Sequence, residues 1–254
     1  MGVFDLTAPL LSWIDTTVLG FLPAWLRILL WSAVAAALVM GVYALVSPQE
    51  RLARLAREAR KARAALTAYD GEFDGLAPLA LRSLRLSLAH LGAAFGPALL
   101  AGLPFLFILV WMSNVFGHRL PEPGAPVAVE VAPEHAALGA RNAPLEPAGP
   151  GRFMLAWPQP DQSLALLDGA GRTLAELPFE EPVTVLHKHR WWNVLIANPA
   201  GYLPDDAAVD SISFAMPREQ YLGIGPAWMR GWEFAFLAPM TVFSLIIKLA
   251  FRIR

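Results

Sequence analysis

The chain has 254 residues, of which 56% are hydrophobic and only 16% charged, and its mean hydropathy is +0.46. Soluble globular domains carry about 25% charged residues, so the composition excludes an ordinary soluble protein and predicts an integral membrane protein. The net charge of -1 hides an uneven distribution of charge along the chain. The absence of cysteine excludes a disulfide framework, a thiol nucleophile and a thiolate metal site. We expect no nucleic-acid partner.

The chain begins with a segment, residues 1–25, that has two acidic residues, Asp5 and Asp15, and no Lys or Arg. A secretory signal peptide needs a basic start, so we interpret this segment as an extracytoplasmic amphipathic helix lying in the membrane interface. The first transmembrane helix follows at residues 26–46, which is close to the roughly 20 residues that a bilayer requires.

Residues 47–90 are predicted to form a basic helical hairpin. Its first arm carries an apolar stripe at heptad spacing, as in a coiled coil: Leu52, Leu55, Ala59, Ala62, Leu66 and Tyr69. The rest of that arm is mainly arginine, and the Asp70–Gly75 stretch has the chemistry of a turn. Because positive charge is retained in the cytoplasm, we place the hairpin there and the N-terminus outside. A purely solvated basic face is the alternative to a binding role.

The second transmembrane helix is predicted at residues 91–112, where Pro97 and Pro104 are expected to bend it. Residues 113–230 form an extracytoplasmic Pro-rich linker, to about Gly151, and a small β domain of roughly 70 residues, near the lower limit for independent folding. Within it, Gly169–Gly171 separates two alternating runs and predicts a hairpin turn. One patch looks like the core of small SH3-like barrels of bacterial envelope proteins: Trp191, Trp192, Val194, Gly201, Tyr202 and Leu203.

The third transmembrane helix is predicted at residues 231–251, with a cytoplasmic tail at 252–254. Its uncharged run is short, so Glu233 and Lys248 must extend to the two interfaces for it to span. The predicted fold is therefore an integral membrane α-helical protein, with three transmembrane helices and a cytoplasmic hairpin, that carries a small extracytoplasmic β domain. We expect a multi-pass protein of the bacterial inner membrane, with its N-terminus outside and its C-terminus in the cytoplasm.

Motifs for catalysis are lacking: the sequence has no GxSxG, no HExxH and no phosphate-binding glycine loop. His187 and His189 alternate along a predicted strand, but a metal site would need a third ligand. We therefore expect no enzyme activity, no catalytic residue, no cofactor and no metal.

Polar residues at membrane depth are better candidates for function, because a charge there is expensive. We predict that Arg27 and Glu233 form a structural ion pair near the outer interface; the alternative is that each extends alone into the headgroups. At the cytoplasmic ends of the helices, we predict a polar notch for client binding beside the basic hairpin. Its candidate residues are Tyr43, His90, Ser244, Lys248, Arg54, Arg57 and Arg60.

The stretches GVYALVSPQERLARL, GLPFLFILVWMSNVFG and WEFAFLAPMTVFSLIIK follow a plan that resembles the YidC-type insertase superfamily, including its three-span members. The resemblance implies a hydrophilic groove open to the cytoplasm that accepts hydrophobic segments of client proteins. Two features depart from that family, an uncharged inner half of the first helix, Ala35–Val46, and a large inserted outer domain.

Three functions are compatible with this sequence. The first is a membrane protein insertion or assembly factor. The second is a non-catalytic structural subunit that anchors a periplasmic β domain to a larger complex, and the third is a transporter or signalling component whose β domain senses a ligand. The expected partners are the lipid bilayer, other membrane proteins as clients or subunits, and a periplasmic protein.

Overall fold

The computed structural model describes residues 2–71, 73–195 and 201–253. Within these ranges the helices are α1 Ala8–Trp13, α2 Ala24–Val46, α3 Gln49–Thr67, α4 Phe73–Phe116, α5 Ala227–Arg230 and α6 Trp232–Ala250. The strands are β1 Pro126–Ala132, β2 Leu138–Arg141, β3 Leu145–Gly149, β4 Arg152–Ala156, β5 Leu164–Asp168, β6 Thr173–Leu177, β7 Val185–His187 and β8 Ser211–Phe214. The chain divides into two compact units. We call Leu26–Leu106 with Phe236–Arg254 the helical unit, and Met1–Trp25 with Phe107–Ala235 the β unit.

Three helices in the described part of the chain, α2, α4 and α6, are long and apolar enough to cross a membrane. The predicted spans at 26–46 and 231–251 correspond to α2 and α6. The second predicted span is the later part of α4, a continuous helix of 44 residues that contains Pro78, Pro97 and Pro104. At 1.5 Å per residue this helix is about 66 Å long, roughly twice the thickness of the hydrocarbon core. The second arm of the hairpin and the second span are therefore one helix.

The helical unit is held together by one face of α2, on which Ile28, Ser32, Ala35 and other residues are buried. The Ser32 hydroxyl lies 2.9 Å from the carbonyl oxygen of Phe236 on α6 and 2.8 Å from that of Ile28, so its proton is shared between them. The Phe236 ring is fully buried and stacks on Phe105 of α4, with ring centroids 6.1 Å apart. These contacts bring α2, α4 and α6 together.

The outward face of α4 is apolar, whereas the outward face of a helix in a soluble protein is polar. Leu84, Leu88, Leu91, Phe95 and Leu99 are each more than half exposed, and their spacing of three and four residues places them on one side of the helix. An exposed apolar stripe of this length is typical of a surface that faces lipid or another apolar partner.

α3 lies beside the first half of α4. Leu52, Ala59 and Ala62 of the apolar stripe are buried, whereas the α3 arginines are exposed. A guanidinium nitrogen of Arg63 donates a hydrogen bond of 3.1 Å to the Ser87 hydroxyl of α4. Three of the six stripe residues are thus covered within the chain itself, and Leu55, Leu66 and Tyr69 are half-buried.

The β unit contains two antiparallel sheets, counted over the described residues. The larger has the strand order β3-β4-β1-β8-β7 and the smaller has the order β2-β5-β6. In β1, Val127, Val129 and Val131 are buried while the residues between them are more exposed, the alternation expected of a strand with one face on the core. The core between the sheets also includes Leu155, Leu166, Leu186 and Ile212.

Two predictions for this region are wrong. The Pro-rich stretch before Gly151 is not a linker, because it forms β1, β2 and β3, and β1 is a central strand that pairs with β4 and β8. The tryptophans are not a barrel core: Trp191–Val194 forms a 3-10 turn, and Trp191 is 85% exposed.

The predicted turn at Gly169–Gly171 is confirmed, since it joins the antiparallel pair β5 and β6. Gly171 has a φ of +78°, which a residue with a side chain adopts only at a cost. The Asp168 carboxylate accepts backbone N–H bonds of 2.9 Å from Ala170 and Arg172. These bonds satisfy the backbone donors of the turn.

The N-terminal segment is helical, with α1 continuing into a π-helical turn, Ile14–Val18. Its apolar side chains Leu6, Leu10 and Trp13 are exposed, whereas Asp15 is fully buried. A helix in contact with lipid is expected to expose its apolar side chains and to bury its acidic ones within the protein.

Candidate functional site: a basic groove in the helical unit

Three adjoining cavities lie in the helical unit, around the start of α3. We refer to them together as the basic groove. The largest, about 1010 Å³, lies between the first turns of α3 and the residues that follow α6. It is lined by Ala44, Pro48, Gln49, Glu50, Arg51, Ala53, Arg54, Arg57, Phe251, Arg252 and Ile253. Four arginines and one glutamate therefore surround it.

The second cavity, about 570 Å³, lies between α3 and α4. Arg57, Arg60 and Arg63 line it on one side, and Ser87 and His90 line it on the other. The Nδ1 atom of His90 is buried without a hydrogen-bond partner among the described residues. A buried ring nitrogen of this kind usually has a partner, so this wall of the cavity has unused capacity for a polar ligand or water.

The third cavity, about 230 Å³, is lined by residues of the three apolar helices. Tyr43 and Lys248 supply its polar groups, and its apolar wall consists of Val39, Met40, Ala98, Ala101 and Ile253. The small side chains of Ala98 and Ala101 leave room where α4 faces α2.

Shared residues connect the cavities. Arg57 and Ala53 line both the first and the second, and Ile253 lines both the first and the third. An apolar chamber with two polar side chains thus adjoins a large basic cleft, which in turn adjoins a second basic cavity. This arrangement suits a ligand that has an apolar part and an anionic or polar part.

Most of the predicted client-binding residues line the groove. Tyr43 and Lys248 share the third cavity, Arg60 and His90 share the second, Arg54 lines the first, and Arg57 lines two of them. Ser244 lines none of these three cavities, and its side chain is half-buried on α6. It is therefore separated from the other residues with which it was grouped.

Arg27 is half-buried near the start of α2, and Glu233 is exposed in the first turn of α6. They belong to different compact units, and their pairing stays a prediction.

Some groove residues are not among the site residues predicted from the sequence. Arg252 and Ile253 follow the end of α6 and looked like a short tail, but both line the first cavity. Arg51 also lines it. Only the folded arrangement, in which residues after α6 and the start of α3 line one cavity, shows these positions, although the clustering of basic residues at both places is a weak hint.

The charged residues of the β unit form ion pairs and hydrogen bonds that stabilise its turns and strands. Asp168 is held by two backbone N–H bonds and by Arg172, which also pairs with Asp206. The backbone N–H of Arg172 is the main cause of the lowered pKa of Asp168. A hydrogen bond from Lys188 likewise lowers the pKa of Asp210.

The paired histidines of the β unit make aromatic contacts. His187 packs edge-on against Trp192, and His189 packs against Tyr202. Burial lowers the pKa of His187. No group of three potential metal ligands occurs among the residues that the structure describes.

No protein-family model, curated protein or solved structure matches this chain. The proposed function below therefore rests on the basic groove.

Proposed function

We propose that this chain binds hydrophobic segments of other membrane proteins in the basic groove and acts in their insertion into the membrane or in their assembly. The observation that carries the proposal is that Tyr43 and Lys248 line an apolar chamber that adjoins the arginine-rich cleft. In the proposed orientation, the groove opens to the cytoplasm of a bacterium at its inner membrane, because the α3 arginines lie there.

The chemistry of the groove supports this function. A client segment is apolar along its length and polar at its flanks, so it needs an apolar wall that ends in polar groups. An unpaired polar group in the hydrocarbon core costs several kcal/mol. Polar side chains of the chain at membrane depth can pair with a client's polar flank and so lower the free-energy cost of moving that flank into the membrane. The apolar wall of the third cavity and the phenol of Tyr43 meet both needs.

The state of the hairpin also favours client binding over a fixed structural role. A hairpin that docks on a constant partner would expose its apolar stripe until that partner covers it. Here Leu52 is 0% exposed within the chain alone, while Arg54, Arg57 and Arg60 are exposed. The surface left for other molecules is cationic and therefore suited to transient contacts.

The test is site-specific photocrosslinking in intact membranes from Tyr43 and Lys248. Matched controls are Leu99 and Leu245, which lie on exposed apolar surfaces of α4 and α6. We expect many different newly made membrane proteins at the groove positions and few at the controls. One recurring partner, or equal capture at all four positions, would contradict the proposal.

A second test neutralises the three arginines with the triple variant Arg54→Gln, Arg57→Gln and Arg60→Gln. The side chains are exposed, so the fold should be retained, while client capture from Tyr43 should fall several-fold. Glutamine is preferred to glutamate because charge reversal can invert the topology of the chain. Unchanged capture would remove the arginines from the proposal.

A structural subunit remains the second candidate, and one observation favours it. Trp191 is 85% exposed and Trp192 42% exposed on the β unit, and exposed aromatic residues are enriched in protein interfaces. If crosslinking from Trp191 captures one stoichiometric partner while the groove captures no client, this function replaces the first.

A further inference from the structure

Arg252, two residues after the end of α6, has an unusual backbone conformation. Its φ is +51°, in the left-handed region, where an L-residue with a side chain is strained. The N–H of Ile253 bonds to the carbonyl of Lys248 at 3.0 Å, and the N–H of Arg252 bonds to that of Leu249 at 3.4 Å. These are the two bonds of a Schellman motif, whose left-handed position is usually glycine.

Arg252 therefore occupies a position that glycine would fill with less strain. A strained residue of this kind is a reason to look for a role of its side chain. Arg252 lines the large cleft together with three arginines of α3, Arg51, Arg54 and Arg57. The conformation that costs backbone energy is the one that turns the chain after α6 so that Arg252 and Ile253 both border the cleft.

The charge of this cleft is unbalanced. Arg51, Arg54, Arg57 and Arg252 line it, and Glu50 is the one acidic residue among the described residues that line it. Like charges that share a cleft repel, and an anion between them relieves this repulsion. Arginine is well suited to the task, since its planar guanidinium binds phosphate oxygens in pairs.

The other wall of the same cleft is apolar. Ala44, Phe251 and Ile253 line it, and the Phe251 ring is 76% exposed. The cleft also lies at the ends of α2 and α6, two helices long and apolar enough to cross a membrane. The ends of such helices are at the depth of the lipid headgroups.

We propose that this cleft is a binding site for an anionic phospholipid, with the headgroup phosphate held between Arg252 and the arginines of α3, and an acyl chain against Phe251 and Ile253. A free phosphate would use the arginines but gain nothing from the apolar wall. A zwitterionic lipid would use the apolar wall but bring no net negative charge to the cleft. The combination of both walls selects the anionic lipid.

Lipid binding at this cleft is tested on the isolated protein, without any client, so the result does not depend on whether clients bind in the basic groove. The full chain is purified and presented with phosphatidylglycerol and phosphatidylcholine in mixed micelles, and lipid retention is measured by native mass spectrometry. The variants are Arg252→Gly, Arg252→Lys and the double variant Arg54→Gln with Arg57→Gln. The control is Arg85→Gln, an exposed arginine of α4 that does not line the cleft.

We expect selective retention of phosphatidylglycerol by the unmodified chain. Each basic residue near a membrane surface contributes about 1 kcal/mol to the binding of anionic lipid, which is about fivefold in affinity. Arg252→Gly should therefore weaken retention about fivefold, the double variant about 25-fold, and Arg85→Gln should have no effect. Arg252→Lys should recover most of the affinity.

The glycine variant separates binding from folding. Glycine suits the left-handed position, so Arg252→Gly should be at least as stable as the unmodified chain while it loses lipid. Equal retention of the two lipids, or full retention by Arg252→Gly, would overturn the proposal. Competition by soluble glycerol phosphate at matched concentration would also overturn it, because the site would then be one for free anions.

Discussion

Leu52 offers the sharpest test of how the hairpin is built. Its side chain is 0% exposed, and it lines the cavity between α3 and α4. Truncation of a buried leucine to alanine costs about 2–5 kcal/mol, depending on how far the site relaxes. Because Leu52 already borders a cavity of about 570 Å³, neighbouring groups and water can adjust. We therefore expect Leu52→Ala to cost about 2–3 kcal/mol, the lower part of that range.

The measurement is hydrogen exchange of α3 peptides in the full chain, reconstituted in lipid nanodiscs. If α3 exchanges by separating from α4, a loss of about 2–3 kcal/mol lowers protection about 30- to 160-fold. The matched control is Leu84→Ala on α4, which deletes the same atoms from a side chain that is 56% exposed. This control should change protection by less than about threefold.

The result that would refute the reasoning is equal protection of α3 in the two variants. Leu52 would then be replaceable, and the apolar stripe would not be what joins the two arms. Faster exchange of α3 in Leu52→Ala alone would support a hairpin whose first arm is held by its own stripe and whose arginines stay available.

Further predictions concern the β unit and the helix contacts. Gly151 has a φ of +63°, and a Cβ there would lie 2.7 Å from Glu134 Cα, whereas Gly124 has a φ of +81° with open space around it. Gly151→Ala should thus destabilise the sheet by about 1–3 kcal/mol more than Gly124→Ala, measured by hydrogen exchange of β1; equal effects would contradict the close approach. Ser32→Ala should cost only about 0.6 kcal/mol, measured by denaturant titration in micelles, and a much larger loss would mean that the hydroxyl does more than link α2 to α6. The lowered pKa of Asp168 means that its ionised form stabilises the fold: this contribution is complete above its ordinary pKa of 3.8 and is lost as the pH falls through the lower value of the folded state. Asp168→Asn should therefore flatten the acid side of the stability profile of the β5–β6 hairpin, and an unchanged profile would contradict the assignment.

Elements with local signals were predictable from the sequence. The α3 stripe, with Leu52, Ala59 and Ala62 buried, follows from the spacing of apolar residues along one helix. The turn at Gly169–Gly171 follows from two alternating runs around small residues. In both cases the residues that decide the structure are close together in the chain, so the pattern is visible without knowledge of the fold.

Other elements depended on distant partners. β1 is flanked by prolines and resembled a linker, yet Val129 pairs with Phe153 on one side and Phe214 on the other. The tryptophan pair at Trp191 looked like core material, but a 3-10 turn leaves the first ring exposed. The position of a strand in a sheet is set by pairing with residues that are distant in the sequence, and local sequence preferences do not predict this pairing.

The sequence by itself determined that this is a chain with three helices able to cross a membrane, a basic hairpin and a separate β region. Helix length, hydropathy and heptad spacing are properties of neighbouring residues, and the apolar residues are too numerous for a soluble fold. Only the tertiary structure decided that Tyr43 and Lys248 share a chamber, that Arg252 adopts a left-handed conformation, and that the arginines of α3 line one cleft with the residues after α6. A binding site is made where distant segments converge, and that convergence is set by packing between helices, which periodicity along one helix does not encode.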